Sequence, residues 1–327
     1  MSAMRVLLVL PLLVMGGVAA TAAVGPPDGS TPEQQTAIAG DPPFVARTLT
    51  LTNVPRGTRP ARSLFNGRDL SGWDSWLGYD DPARTYAPNP GAPIGLNHDS
   101  TGVFSVVMQD GAPALLANGR IFGALVTKKA YANYHLHVEF KWGEHQWTPM
   151  PRNNGILYHS HGAYGAFFGT WMQAVEFEIV PGSVGMLLGV GDSRRAHGFE
   201  DVAWNVGARV AAGHDPAIAY PHRRFMVGGT LAAVKFPAYN VDAATNAEKP
   251  LGQWNALDLY VVGNRSVHVV NGVPVLVAQD LSSADGHGTR PRPLTSGRIQ
   301  LQSEGAETYF RNISIEPIDH LPTVSGP

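Results

Sequence analysis

Cysteine is absent from the 327-residue chain. Disulfide bonds, thiolate chemistry and cysteine-ligated zinc are therefore excluded. Charged residues make up only 15% of the chain, its formal net charge is −2, and it has no long lysine or arginine run. The sequence thus lacks the basic footprint of a nucleic-acid-binding protein. Beyond the N-terminal region, no stretch approaches the ~18 consecutive apolar residues that a membrane span would need.

The N-terminal residues have the pattern of a secretory signal peptide. Arg5 gives a positive start, residues 6–18 are apolar, and the small residues 19–23 offer cleavage sites of the A-x-A type. We therefore predict a signal peptide over 1–23, cleaved near Ala22 or Ala23, although retention as an anchor is an alternative. The mature protein is expected to be secreted or periplasmic, with no membrane span after cleavage. Residues 24–60 are rich in Pro, Gly, Thr and Ala and predict a flexible leader.

The rest of the chain has the texture of an all-β domain, expected over 61–320. Glycine (37 residues) and proline (26) are frequent, and no convincing amphipathic helix occurs. Residues 134–142 alternate between apolar and polar, and Asn271-Gly272 is a strong type I′ hairpin signal. This pattern predicts a two-sheet sandwich of the jelly-roll type. Residues 182–250 lack such alternation and are expected to form a long loop insertion. Strands are predicted over 104–107, 134–142, 155–158, 174–180, 256–262, 266–270, 273–278, 298–302 and 308–316.

Five sequence blocks, in order along the chain, resemble a known family. They are SLFNGRDLSGW (63–73), the stretch 127–143, NNGILYH (153–159), WMQAVEFEI (171–179) and the stretch 298–313. Together they resemble the 3-keto-disaccharide hydrolase family, over residues 63 to about 318. The resemblance implies a concanavalin A-like jelly roll and cleavage of 3-oxo glycosides. Departures from the family's usual residues are Asn154 for Ser, Glu178 for Gln, and Val-Pro-Gly at 180–182.

Cleavage of a 3-keto glycoside sets clear chemical requirements. The ketone acidifies the C2 proton, so that a base can remove it while the C1 substituent leaves, and water then adds back. The site needs a general base, a group that stabilises the enolate oxygen, and an acid for the leaving group. Alternate residues of neighbouring strands share a sheet face, so a concave sheet face can supply all three.

Three residues are predicted to be catalytic, beginning with Glu176. This residue matches the family's strand and shares a strand face with Glu178, and two close carboxylates push their pKa values apart. Two solvated glutamates on an outer face are the plainer alternative. His159 is a candidate base or acid, and Lys141 is a candidate for polarising the enolate oxygen. A structural histidine and a surface lysine are equally acceptable interpretations of these two.

Further side chains are candidates for holding the sugar, although turn formation or tryptophan packing would also explain several of them. These predicted substrate-binding residues are Lys128, Asn153, Glu178, Trp171 and Glu304. A divalent metal is conceivable because His135 with His137, and His159 with His161, share strand faces. Such pairs are common without metal, so the sequence does not imply any cofactor.

Two other functions fit the same fold. A non-catalytic carbohydrate-binding module would keep aromatic platforms but would not need Glu176, His159 and Lys141 to converge. A retaining glucanase would use a pair of glutamates about 5 Å apart. Sandwich glucanases usually carry a Glu-x-Asp-x-Glu strand, and residues 174–178 lack its third carboxylate. The sequence therefore favours an enzyme acting on a saccharide or glycoside in oxidised, 3-keto form.

Overall fold

A computed structural model describes residues 48–149, 151–192, 202–210, 223–229, 231–234, 240–284 and 291–326. The predicted signal peptide and most of the predicted leader lie outside these residues. The described chain is almost wholly β, and its one helical element is a 3-10 turn at Pro82–Arg84. None of its helices has the length and apolar character that crossing a membrane requires.

The described residues form 22 strands. In chain order they are β1 (Thr50–Thr52), β2 (Arg62–Ser63), β3 (Trp73–Leu77), β4 (Gly95–Leu96), β5 (Phe104–Gln109), β6 (Ala112–Ala117), β7 (Gly123–Thr127), β8 (Tyr134–Gln146), β9 (Asn154–His161), β10 (Gln173–Ile179), β11 (Met186–Val190), β12 (Val202–Val210), β13 (Arg223–Phe225), β14 (Leu231–Val234), β15 (Asn240–Val241), β16 (Asn255–Val262), β17 (Arg265–Val270), β18 (Val273–Ala284), β19 (Pro291–Pro293), β20 (Arg298–Ser303), β21 (Ala306–Pro317) and β22 (Thr323–Ser325).

Two large antiparallel sheets contain nearly all of these strands. Sheet I has eight strands in the order β15-β11-β10-β9-β20-β7-β3-β4. Sheet II has twelve, with the path β13-β12-β18-β17-β16-β8-β21-β6-β5 and with β14, β19 and β2 paired beside it. The pair β1-β22 stands apart. The predicted all-β, two-sheet jelly-roll sandwich is confirmed.

The core lies between the inward faces of the two sheets. On β8, in sheet II, Leu136, Val138 and Phe140 are at most 1% exposed and belong to this core. On β10, in sheet I, Val175 and Phe177 are also buried and belong to the same core. Successive side chains of a strand point to opposite faces, and burying these large apolar groups is worth roughly 1.5–3 kcal/mol each. The apolar residues therefore fix which polar residues of each strand face outward.

The predicted hairpin at Asn271-Gly272 is confirmed, and a second turn, at Asp110-Gly111, has the same geometry. Asp110 and Gly111 join β5 to β6 with φ of 51° and 77°, and Asn271 and Gly272 join β17 to β18 with φ of 50° and 79°. Positive φ at both central positions is the type I′ geometry that suits the strand twist, and glycine adopts it without strain.

The region expected to be a loop insertion is different in the structure. Described residues within 182–250 form β11 to β15, of which β11 pairs with β10 and β12 pairs with β18. Three of these strands, β13, β14 and β15, have only two to four residues, which is too few for an apolar alternation to predict them. The predicted leader also contains a strand, because Thr50–Thr52 pairs with Thr323–Ser325.

Candidate active site

A row of polar side chains crosses the outer face of sheet I. Because Val175 and Phe177 face the core, Glu176 of the same strand faces outward, as does Glu178. Glu176 lies opposite Leu157 of β9, and Glu178 lies opposite Gly155. The neighbouring strand β20 pairs with Leu157 through Gln300. Gln302, two residues further, shares the face of Gln300. Three neighbouring strands thus bring carboxylates and amides together.

The side chains of Glu176 and Gln302 both lie close to the backbone of Gly155. A Cβ atom at Gly155 would lie 1.9 Å from Glu176 Oε1 and 2.7 Å from Gln302 Oε1. Both oxygens are buried, and neither has a hydrogen-bond partner among the described residues. Two acceptor oxygens placed like this need a donor between them, either the proton of a carboxyl group or a ligand hydroxyl. The glycine therefore leaves space for a small polar group.

Glu304 and Asn153 complete this cluster at the end of β20. The backbone of Asn153 bridges to that of Glu304, which follows Gln302 on the same face. The Asn153 side chain bonds to Glu178, and its Oδ1 has no partner within the described chain. Glu176 and Glu178 are each 3% exposed and Glu304 is 7% exposed. We call Glu176, Glu178 and Glu304 the carboxylate cluster.

Burial raises the pKa of every member of the carboxylate cluster, and repulsion adds to this rise at Glu176 and Glu178. The pKa of Glu176 lies well above its ordinary value because of burial, then because of the charges of Glu178 and Glu304. Burial and Glu304 likewise raise the pKa of Glu178, against the opposing bond from Asn153. Burial raises the pKa of Glu304 to about 8, with Tyr86 opposing. With its pKa at about 8, Glu304 keeps its proton near neutral pH and can donate it.

Trp171 lies on the same outer face but is covered. Its side chain is 2% exposed, its Nε1 donates to the carbonyl oxygen of Gly123 at 3.1 Å, and its ring stacks on Phe122 at 6.1 Å. With Phe167 and Met172 it forms an apolar cover over the β7 end of the face. The structure thus gives this predicted sugar-stacking residue a packing role.

Lys128 lies apart from the carboxylate cluster. It follows β7, its side chain is 56% exposed, and its Nζ is 3.9 Å from Asp74 Oδ1. Tyr164 donates to the other oxygen of Asp74 at 3.2 Å and receives a bond from Arg298. Lys128 therefore belongs to a polar group around Asp74 and not to the carboxylate cluster. The other predicted sugar-binding residues Asn153, Glu178 and Glu304 do lie near Glu176.

His159 is buried on the inward side of sheet I, contrary to the expectation that it would act with Glu176. It occupies a bulge in β9 with φ of 52°, and its ring is 5.4 Å from that of Tyr158, whose hydroxyl reaches Ser266 of sheet II. Neither ring nitrogen has a hydrogen-bond partner of good geometry among the described residues. Burial, with the nearby His161, lowers the pKa of His159 to about 4. The bulge turns this side chain away from the carboxylate cluster.

Lys141 requires the larger correction, because it lies on the opposite surface of the protein. Its strand β8 belongs to sheet II, and its side chain points outward there, where Nζ is 2.6 Å from Asp110 Oδ2. The same ammonium lies over the rings of Trp254 and Tyr309 at 5.3 and 5.8 Å. The whole sandwich separates it from Glu176, so the predicted convergence of the two residues does not occur.

Three of the four histidines considered as metal ligands bond to other side chains. His135 and His137 both bond to Asp258 Oδ1, each at 2.8 Å, on the outer face of sheet II. His161 bonds through Nε2 to Ser283 at 2.9 Å. In the described part of the chain, no three His, Asp or Glu side chains are arranged to hold a metal ion.

Two residues of the site were not predicted from the sequence. Gln302 lies on a predicted strand, but only the pairing of β20 with β9, far away in sequence, places it beside Glu176. Gly155 stands inside a strand where glycine weakens the ladder, which signals a close approach by another group. That signal was available in the sequence block Asn-Asn-Gly at 153–155.

The fold and the site together define a jelly-roll sandwich with a buried carboxylate cluster on one outer sheet face. This arrangement is suited to proton transfer on a polar ligand. Residues 60–316 match the family model described as the 3-keto-alpha-glucoside-1,2-lyase-like domain, and the chain belongs to this family. Among curated proteins, the comparison finds no match.

Several solved structures are similar in fold at low sequence identity. A predicted glycosyl hydrolase from Parabacteroides distasonis is 19% identical, with a TM-score of 0.42 over 79% of this chain and 94% of that one. A galectin-like protein of unknown function from Bacillus subtilis is 13% identical, with a TM-score of 0.40 over 83% and 100%. Domain 4 of a Geobacillus stearothermophilus arabinanase, in complex with arabinotriose, is 10% identical, with a TM-score of 0.36 over 83% and 94%.

Proposed function

We propose that this protein is an exported enzyme that cleaves 3-keto α-glucosides, including disaccharides, by elimination followed by hydration. The observation that carries the proposal is the carboxylate cluster, in which Glu176 Oε1 and Gln302 Oε1 meet without a donor above Gly155. Membership of the 3-keto-alpha-glucoside-1,2-lyase-like family supplies the substrate class. Export, to the periplasm or the medium, rests on the signal-like residues 1–23.

The proposed reaction moves one proton in and one proton out of the carboxylate cluster. An ionised carboxylate, assigned to Glu176, removes the C2 proton; the electron pair forms the C1=C2 double bond, and the C1–O bond breaks. A protonated neighbour, Glu178 or Glu304, gives its proton to the departing oxygen. Water then adds, with hydroxyl at C1 and hydrogen at C2, to release the 3-keto sugar. The pKa of Glu304, at about 8, keeps this residue in its acid form near neutral pH, and the proposed step requires Glu176 to be the member that ionises.

The charge that develops on the C3 oxygen needs hydrogen-bond donors. Lys141 was the predicted donor, but it lies on the other surface. The amide groups of Asn153 and Gln302, together with whichever carboxyl group is protonated, are the donors at the site. A preorganised donor at a developing oxyanion contributes about 2.7–4 kcal/mol to catalysis in well-studied cases. We therefore assign enolate stabilisation to these amides.

The test is turnover of methyl 3-keto-α-glucoside and of the 3-keto form of maltose, beside the unoxidised parents. Glu176→Gln should lower turnover by about 10²–10⁴-fold with the melting temperature preserved, because a positioned base is lost and the shape is kept. Proton NMR in D₂O, which follows exchange at C2, measures the proton-abstraction step directly. Glu316→Gln is the matched control, because this glutamate lies on the outer face of sheet II and bonds to His135.

Two outcomes would contradict the proposal. If Glu176→Gln kept wild-type turnover, Glu176 would not be the catalytic base. Saccharide binding by the wild-type protein, without cleavage or C2 exchange of any 3-keto glycoside, would instead favour the carbohydrate-binding module.

A further inference from the structure

An exposed tryptophan stands at the end of the sandwich where the carboxylate cluster lies. Trp147 follows the last residue of β8 and is 50% exposed, and it is one of the few large apolar residues left open to solvent among those described. Its backbone nitrogen donates to the carbonyl oxygen of Gly305 at 2.8 Å, and Gly305 is the residue after Glu304. Asn153 bridges to both Glu304 and Gly305. Trp147 is therefore anchored to the corner that carries two residues of the site.

The orientation of this indole ring is fixed on two sides. Its Nε1 donates to the carbonyl oxygen of Asn118 at 2.7 Å, so its one polar group is already satisfied. The ring of His145 stacks on it with centroids 5.7 Å apart and an angle of 29° between the planes. What remains open is apolar ring surface in a defined position. An exposed aromatic ring held this way costs free energy in water unless a ligand covers it.

The backbone beneath Trp147 is also specific. A Cβ atom at Gly305 would lie 2.7 Å from Thr148 Oγ1, so the 147–148 segment packs closely on this glycine. Gly305 has φ of 76°, a conformation that glycine adopts without strain. The turn after Glu304 is thus shaped to receive this segment, which keeps Trp147 at a constant distance from the carboxylate cluster.

We propose that Trp147 forms a stacking subsite for the second sugar of the substrate, the one that leaves from C1. The proposal rests on the proposed function for the identity of the first sugar. The C–H face of a pyranose ring is apolar, and an indole ring covers it well, while the rim hydroxyls stay in water. Trp147 then recognises disaccharides over glycosides with a small leaving group, and takes no part in proton transfer.

Kinetics with two substrates separates this role from a structural one. Trp147→Ala should raise the KM for the 3-keto form of maltose by roughly three- to tenfold. The kcat for that substrate, and both constants for methyl 3-keto-α-glucoside, should stay at wild-type values. Met108→Ala is the matched control, because Met108 is 67% exposed and lies on β5 of sheet II. Equal changes for both substrates, or no change for either, would overturn the subsite.

Binding can be tested without catalysis. Fluorine NMR of protein labelled with 5-fluorotryptophan gives one resonance for each of the seven tryptophans, and Trp147→Phe assigns the one of interest. Unoxidised maltose should shift this resonance, methyl α-glucoside should leave it in place, and Trp254 on the other surface should not respond. A Trp147 resonance unmoved by maltose rejects the subsite. Failure of the wild-type protein to cleave 3-keto glycosides rejects only the proposed function.

Discussion

Carboxyl groups on the outer faces of the two sheets have opposite surroundings, and their pKa values shift in opposite directions. On sheet II, Asp258 accepts bonds from His135 and His137, and the pKa of its carboxyl group is lowered to about 2 despite the opposing effect of burial. On sheet I, Glu304 belongs to the carboxylate cluster, which has no cationic partner among the described residues, and burial raises the pKa of Glu304 to about 8. Both faces are rich in acidic residues, so acidity alone does not identify a site.

The difference shows what the proposed active site costs in folding free energy. Pairing a carboxylate with a cation or histidine stabilises both, and two further pairs of sheet II follow this rule: Arg311 bonds to Glu139, and Lys141 bonds to Asp110, each at 2.6 Å. Burying three carboxylates together has no such compensation within the described residues and opposes folding at neutral pH. Proteins retain that kind of penalty where function requires it.

Among the substitutions that test this contrast while keeping Glu176, the largest effect is expected from adding a side chain at Gly155. Gly155→Ala places a methyl group where Glu176 Oε1 lies, at 1.9 Å, so the carboxylate must move. Alanine is otherwise acceptable on a strand. We expect turnover of methyl 3-keto-α-glucoside to fall by about 100-fold, because a small misplacement of a catalytic group costs that much. Circular dichroism should show an intact β fold.

The matched control for this substitution is Gly72→Ala. Nothing lies within 4 Å of a Cβ atom at Gly72, and its φ is not in the left-handed region. Wild-type turnover by Gly155→Ala would show that the position of Glu176 does not matter. The contrast between the two faces would then lose its functional meaning.

A smaller effect is expected from Glu304→Gln, which removes one ionisable group from the carboxylate cluster. Glu304 raises the pKa of both Glu176 and Glu178, so both values should fall in the variant. The acidic limb of the kcat/KM profile should therefore move to lower pH by about one unit. Glu307→Gln is the control, since Glu307 is also buried but bonds to Tyr309 at 2.7 Å. An unmoved acidic limb would show that the carboxylates titrate independently.

The sequence was sufficient to predict which residues share a face of one strand, but not which strands are neighbours in a sheet. Alternation correctly predicted that Glu176 and Glu178 share a face, because the apolar Val175 and Phe177 between and beside them must be buried. The same alternation on β8 placed Lys141 outward, but it carries no information on which sheet contains the strand. Pairings such as β20 with β9 join residues more than 130 positions apart. Gln302 and Gly155 therefore became part of the site only through tertiary structure.

The His159 prediction failed for a related reason. Regular alternation assigns a residue two positions after Leu157 to the outer face, but a bulge at this point adds a residue and changes the direction. The positive φ of His159 is uncommon for a residue other than glycine, and nothing in the local sequence announces it. The sequence pattern, a histidine that follows apolar strand residues, is therefore the same whether the side chain faces the candidate site or the core.

The smallest expected effect on catalysis, and a clear one on stability, comes from the paired side of the comparison. Asp258→Asn should leave turnover unchanged, because the network lies on sheet II. The displacement of the Asp258 pKa from 3.8 to about 2 corresponds to about 2 kcal/mol in the free energy of unfolding, at about 1.4 kcal/mol for each tenfold change. Because this pKa is lowered, the stabilisation is present above the unfolded value of 3.8 and is lost as pH falls toward 2.

The histidine side of the same network has the opposite sign. The bond to Asp258 raises the pKa of His137, so its stabilisation is complete below the unfolded value of 6.5 and is lost as pH rises through the folded value. The difference in unfolding free energy between wild type and Asp258→Asn should therefore be largest between about pH 4 and 6.5. Urea unfolding at several pH values measures it. A difference that stayed constant from pH 4 to 8 would mean that the histidine does not contribute. A fall in turnover at constant stability would show that the two outer faces are coupled, and the comparison between them would fail.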